Sequence, residues 1–289
     1  MDGFILNLAP TGMLPTRESS QYVPLSVEEI VADARRCIDL GANMLHLHAR
    51  DEIGRPTYRK EIYARLIGGI RETHPDVVIC VSLSGRDFSE IEQRADPLKL
   101  TGDLRPDMGS LTLSSMNFSR NPSINSPDTI RQLAERMADA GIRPELEVFD
   151  AGMLNYASYL LEKEVLHSPL YFNFILGNIA SAQATPAALG LLISQLPPGS
   201  RWSGGGVGAC QLAMNVQGLL YGDGVRVGLE DYLWMDEQRS HPASNAALVT
   251  RVIEVASVLG RSPAAAWDVR QALGVSPTGG PKETSLCAS

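Results

Sequence analysis

Eight times along the chain a short apolar run of strand character is followed by a longer stretch of helical periodicity, and this alternation constrains the fold more than any other feature. The strand-like runs are Phe4 to Ala9, Met44 to Arg50, Val77 to Ser84, Met108 to Ser114, Pro144 to Asp150, Tyr171 to Leu176, Arg201 to Gly208 and Val225 to Asp231. Ser26 with Glu29 makes a capping box for a helix to Leu40, closed by Gly41. Ile62, Leu66, Ile67 and Ile70 stripe a second helix ending near His74, and Asp87 to Leu100 reads as a third. Pro127 behind Ser126 starts a fourth to Ala140, a fifth ends near Leu166, and Thr185-Pro186 opens a sixth. Gln211 to Leu220 and Ser244 to Leu259 complete the set.

Eight such units in 289 residues predict an α/β fold, a (β/α)8 TIM barrel forming one domain over residues 1–289. The tail from about Gly274, rich in Gly, Pro and Ser, is expected to be loose or used at a subunit contact. A doubly wound open sheet is the competing architecture, but no Gly-x-Gly-x-x-Gly follows the first strand. In a barrel, functional groups come from the carboxyl ends of the strands.

Strand parity then says which side chains point inward, because one parity must face the apolar helices. Ile79, Val81 and Leu83 oppose Cys80, Ser82 and Ser84; Leu111 and Leu113 oppose Ser110, Thr112 and Ser114. Leu146 and Val148 oppose Glu145 and Glu147, while Val225, Val227 and Leu229 oppose Arg226, Gly228 and Glu230. With His46, His48, Asn7 and Asn173, the polar parity converges on one interior. An antiparallel sheet with one wet face also alternates, but the intervening helices argue against it.

Met44 to Arg50 puts His46, His48 and Arg50 on one side and Leu45, Leu47 and Ala49 on the other. Two imidazoles about 7 Å apart along an extended backbone can reach one divalent metal, although hydrogen-bonded interior histidines are the plainer alternative. Ionisable groups inside a barrel are costly unless paired or coordinated, which favours a functional site. His46, His48 and Glu230 supply two nitrogens and one oxygen, a set suited to catalytic Zn2+ with one position open. His74, His167 and His241 fall at helix ends or in a loop, where the residue is commonplace.

A formal charge of −8 and no basic cluster argue against a nucleic-acid partner and point to a small molecule. No apolar run is long enough for a membrane span, and Met1-Asp2-Gly3 lacks the basic flank of a signal peptide, so a cytoplasmic location is expected. Cys37, Cys80, Cys210 and Cys287 are widely spaced and read as reduced and structural.

The chain resembles the β-keto acid cleavage enzymes along nearly its whole length. The likeness is carried by Ala9-Pro10-Thr11-Gly12, Gly41 to Arg50 with Leu-His-Leu-His, Gly54-Arg55-Pro56, Pro144 to Val148, Leu176-Gly177, Arg226 to Asp231 and Ser244-Asn245-Ala246. Most specific is His46-x-His48 together with Arg226-x-Gly228-x-Glu230-Asp231. The resemblance implies zinc on His46, His48 and Glu230, a homotetramer, and acetyl-CoA as co-substrate in an exchange that yields acetoacetate and a new acyl-CoA. It also implies Asp231 as base, Arg226 as a two-pronged carboxylate holder, Glu147 as a catalytic acid position, and Ser82 and Ser110 as substrate-binding hydroxyls.

Three departures from the family pattern matter. Leu14 stands where the family's type enzyme, whose substrate carries an amino group, has a glutamate, so an uncharged or apolar substrate side chain is expected. The segments Ser82-Leu83-Ser84-Gly85-Arg86 and Ser203 to Cys210 also differ, in places where backbone N–H groups could cradle a CoA phosphate or pantetheine arm. Arg17, Arg86 and Arg120 are further candidate phosphate contacts. A metal-dependent aldolase or hydrolase working without CoA is the alternative enzyme, and a barrel with a purely structural metal the non-enzymatic one.

Overall fold

The computed structural model describes residues 1–119 and 121–276. Eight parallel strands, β1 (Ile5–Leu8), β2 (Met44–Leu47), β3 (Val78–Val81), β4 (Met108–Thr112), β5 (Arg143–Val148), β6 (Tyr171–Leu176), β7 (Arg201–Gly206) and β8 (Gly224–Val227), close into a barrel in sequential order. β8 returns to β1, pairing Asn7 with Arg226, so two inward polar positions of the first and last strands share one register. Helices α1 (Val27–Asp39), α2 (Lys60–Arg71), α3 (Ile91–Arg94), α4 (Pro127–Asp139), α5 (Ala151–Glu162), α6 (Pro186–Ser194) and α7 (Gln211–Tyr221) connect the strands, and α8 (Asn245–Val258) follows the last of them. The TIM barrel expected from the alternation is the fold.

Parity sorts the interior as expected. Phe4, Leu6, Leu8, Leu45, Leu47, Ile79, Val81, Leu111, Leu146, Val148, Val225 and Val227 pack against the helices in one continuous core. The capping box at α1 forms in full, with Ser26 accepting from the Glu29 N–H and the Glu29 carboxylate accepting from the Ser26 N–H.

Four elements differ from the sequence expectation. The third helix is not Asp87 to Leu100: only Ile91–Arg94 is α-helical, followed by 3-10 turns at Asp96–Lys99 and Gly102–Leu104. Pro97 brings no N–H to continue the ladder, and Asp96 turns its carboxylate to the Lys60 N–H at the start of α2. The second strand leaves the barrel after Leu47, and Ala49–Arg50 forms a small antiparallel ladder with Pro56–Thr57. The eighth strand stops at Val227, where Gly228 turns with φ of +154°; a Cβ there would lie 2.0 Å from the Ala9 carbonyl oxygen, so no other residue fits.

The fourth is an additional helix, α9 (Ala266–Ala272), whose Val269 and Leu273 pack with Ile5, Met44, Val78, Met108 and Tyr171 and close the amino-terminal end of the barrel. Its Arg270 forks onto buried Asp107 at 2.7 and 3.0 Å, Arg71 donates to the same carboxylate at 3.0 Å, and the Ile79 N–H donates to it at 2.9 Å. Of the tail expected from about Gly274, residues 277–289, with Cys287, lie outside the described residues. Cys37 and Cys80 are buried free thiols. Because Asp107 balances two buried guanidiniums, Asp107→Ala is expected to lower stability by about 3–5 kcal/mol in urea unfolding; a loss below ~1 kcal/mol would show the cluster to be incidental.

Candidate active site and metal centre

Two histidines and one glutamate meet at the carboxyl end of the barrel. His46 projects inward from β2, and His48 follows the strand's last residue. The turn after Gly228 brings Glu230 over them, although it lies beyond the regular strand from which parity was read. His46 Nε2 and His48 Nε2 are 3.3 Å apart, His48 Nε2 is 3.2 Å from Glu230 Oε1, and His46 Nε2 is 4.0 Å from the same oxygen. Ligand atoms about 2.0–2.1 Å from a tetrahedral zinc are separated by about 3.3 Å, so this triangle fits such an ion with little movement. Glu230 Oε2 is buried with no hydrogen-bond partner, a further polar atom left for a cation.

His46 is oriented from behind. Its Nδ1–H donates to Glu145 Oε2 at 2.5 Å, which turns Nε2 towards His48 and Glu230. Burial opposes a charge on this imidazole, but the Glu145 carboxylate outweighs it and raises the pKa to about 9. Burial likewise opposes the Glu145 charge, and the His46 contact prevails, lowering its pKa to about 2. His48 moves the other way, because burial lowers its pKa more than Glu230 raises it. For Glu230, burial is overcome by His48 and Arg226, which hold the carboxyl well below its usual range.

Arg226, fully inside the barrel, is shared among three carboxylates. Its Nε and Nη2 donate to the two oxygens of Asp231 at 3.0 and 3.3 Å, Nη2 lies 2.8 Å from Glu230 Oε1, and Nη1 lies 3.7 Å from Glu147 Oε1. The two-pronged contact suggested by the sequence for a substrate is thus made to Asp231, and Nη1 alone has no hydrogen bond. Burial raises the Asp231 pKa, with Arg226 acting against it. Glu147 Oε2 accepts from the Thr112 hydroxyl at 2.6 Å.

Three buried amides hold the turn that carries Glu230 and Asp231. Gln211 donates to the Gly228 carbonyl, Asn215 to the Arg226 carbonyl, and Asn245 accepts from the Leu229 N–H while donating to the Pro10 carbonyl and Asp33. Gly12, with φ of +67°, lets the loop after β1 lie against Glu230, since a Cβ would approach its Cγ to 2.6 Å. Arg50, expected on the histidine side of its strand, donates to the carbonyls of Gly12 and Pro15 and so pins the loop that presents Leu14.

These residues open onto a cavity of about 160 Å3 whose wall includes Leu14, His48, Ser82, Glu147, Arg226, Glu230 and Asp231. Ser110 is not part of that wall; its hydroxyl accepts from the Leu83 N–H at 3.0 Å, and Thr112, one inward position higher on β4, stands there instead. Within the two proposed cradles three N–H groups are used internally: Val207 donates to the Leu176 carbonyl, Gly208 to the Asp231 carbonyl, and Arg86 to the Ser84 hydroxyl. Arg17 is an exposed partner of Glu29, away from the cavity, whereas Arg86 lines it; Arg120 lies outside the described residues. Parity already pointed Glu145 and Thr112 inward without giving them a role. The helix-borne amides had no sequence signal beyond Asn245 in Ser244-Asn245-Ala246.

A family model described as beta-keto acid cleavage enzyme matches residues 4–275. The 3-keto-5-aminohexanoate cleavage enzyme of Acetoanaerobium sticklandii is 34% identical over 278 residues, covering 96% of this chain and 100% of that one. The 3-oxoadipate:acetyl-CoA acetyltransferase of Cupriavidus necator is 33% identical over 274 residues, covering 94% of each chain. Among solved structures, the apo structure of ObcA superposes with a TM-score of 0.75 at 22% identity, over 89% of this chain and 66% of that one, a likeness of fold.

Removing the carboxylate behind His46 tests the candidate metal centre without touching its three candidate ligands. Glu145→Gln is expected to weaken zinc about 10- to 100-fold in competition with a chromogenic chelator; unchanged affinity would mean that Glu145 serves only the barrel interior.

Proposed function

This chain belongs to the β-keto acid cleavage enzyme family, and we propose that it exchanges the acyl group of a β-keto acid carrying an uncharged side chain with acetyl-CoA, giving acetoacetate and a new acyl-CoA. The observation that carries this reading is the Arg226–Asp231 pair set beside the His46, His48 and Glu230 triangle in one cavity. The acetyl-CoA-dependent relative from Cupriavidus necator supports the choice of co-substrate. Leu14 at the cavity mouth, 52% exposed, supports the uncharged side chain. Zinc is the metal that suits two imidazoles and a carboxylate, and as a Lewis acid bound by His46, His48 and Glu230 it would polarise a carbonyl placed in the cavity.

Asp231 is the proposed base. Its burial raises its proton affinity, and its two oxygens are aligned by Arg226. It takes a proton from the carbon between the carboxylate and keto groups, leaving an enolate that attacks the thioester carbonyl of acetyl-CoA. The new C–C bond forms as the CoA thiolate departs. That thiolate then attacks the original keto carbon, the older C–C bond breaks, and Asp231 returns its proton to the acetoacetate carbanion, so atoms and charge balance. Arg226 Nη1, the donor left without a hydrogen bond, faces negative charge as it develops. Glu147, held by Thr112 and near Arg226 Nη1, orients that donor. Ser82 supplies a hydroxyl at the cavity wall, and Ser110 acts one layer below by fixing the Leu83 backbone.

The same reading carries a homotetramer in the cytoplasm. Exposed Tyr221 and Val258, at the ends of α7 and α8, support a subunit contact, and no helix among the described residues is long and apolar enough to cross a membrane.

The direct test is zinc-loaded protein with acetyl-CoA and a panel of β-keto acids, followed by acetoacetate formation. Turnover is expected for acids with uncharged side chains; turnover without any thioester would instead make the protein a metal-dependent aldolase or hydrolase. His46→Ala or Glu230→Ala should abolish both bound metal and activity. Arg226→Ala should keep the metal and lower kcat by on the order of 100-fold or more, and normal turnover in that variant would remove Arg226 from the mechanism.

A further inference from the structure

Arg86 differs from every other cation near the site. Its guanidinium sits 3.8 Å from the centroid of the Phe118 ring and lines the cavity. Its Nε is buried without a partner, and among the described residues no hydrogen bond or ion pair reaches the guanidinium. Burial works against its charge; Glu230, Asp87 and Glu147 counter that effect only from beyond ion-pair distance. Arg226 is taken by Asp231, Glu230 and Glu147, and Arg50 and Arg94 spend their donors on loop carbonyls and Asn125.

The charges of the lining carry the same message. Arg86 and Arg226 face Glu147, Glu230 and Asp231, which leaves one negative charge, and a divalent cation at the histidines turns this into one positive charge. One anionic group on the ligand restores neutrality. The wall also carries apolar side chains, Met13, Leu14, Phe118, Phe149, Ile175 and Val207, interspersed with uncharged polar ones such as Ser84, Ser123 and Asn178.

We propose that Arg86 is the group that receives the carboxylate of the keto acid, with the uncharged remainder of that monocarboxylate lying against the uncharged side chains of the wall. This rests on the chain acting on β-keto acids, and it assigns to Arg86 a task that the sequence suggested for Arg226. A planar guanidinium with free edges accepts a carboxylate by paired, charge-assisted hydrogen bonds, and stacking on Phe118 fixes its plane beforehand. The same cation could take a phosphate of the thioester, so the two sources of anion must be separated.

Calorimetry on zinc-loaded protein does this without requiring turnover. With 3-oxohexanoate as probe, Arg86→Gln is expected to weaken binding about 10- to 100-fold, while Arg86→Lys keeps part of it. Acetyl-CoA should bind wild type and Arg86→Gln alike, and the neutral 3-oxohexanamide should not distinguish them. Equal binding of 3-oxohexanoate by wild type and Arg86→Gln, no binding by wild type, or a loss confined to acetyl-CoA would each overturn the proposal. If 3-oxohexanoate binding depends on Arg86 but no acetoacetate forms with acetyl-CoA, the carboxylate site stands and the exchange reaction falls.

Discussion

One buried carboxylate holds the interior of this barrel together. Glu145 accepts from Asn7 at 2.7 Å and Asn173 at 2.6 Å on one oxygen, and from His46 at 2.5 Å and Cys80 at 3.2 Å on the other. These donors come from β1, β6, β2 and β3, so a single side chain on β5 ties five of the eight strands across the lumen. An unpartnered charge at that depth would be severely penalised; with all its lone pairs engaged it becomes a fixed point. The direction of the His46 ring follows from it, and with that the triangle of His46, His48 and Glu230.

Above this layer the chain leaves regular structure, and the site is built where it does. β2 ends before His48 and β8 before Glu230. The departures are enforced by backbone constraints rather than by loop freedom: Gly228 touches Ala9, Gly12 touches Glu230, and the amides of Gln211, Asn215 and Asn245 satisfy the carbonyls and N–H groups exposed as the ladder ends. Rigid turns at strand ends are what a site needs when the distances among its groups must hold to a few tenths of an ångström.

The barrel and its inward residues were legible because a parallel strand must hide one parity under helices, a rule that works residue by residue. It placed His46, Glu145, Glu147 and Arg226 correctly on the lumen side. It had no purchase on Glu230, which reaches the lumen through a turn and fell on the right side only because the turn happens to preserve the direction. The third helix stops at Arg94 for a local reason, Pro97, which cannot donate an N–H to the helical ladder. Nothing in the one-dimensional pattern could say that Arg226 would be surrounded by three carboxylates and Arg86 by none, because ion-pair partners are chosen by contacts between distant segments. Ser110 and Thr112 share a parity, and only the depth of each in the barrel separates a hydroxyl that braces backbone from one that faces the cavity.

The helix that plugs the amino-terminal end, α9, has a bearing on traffic. With Val269 and Leu273 packed against the first residues of the strands and Arg270 locked on Asp107, the described residues leave the lumen no rear exit. Whatever enters from the histidine side must leave by the same doorway.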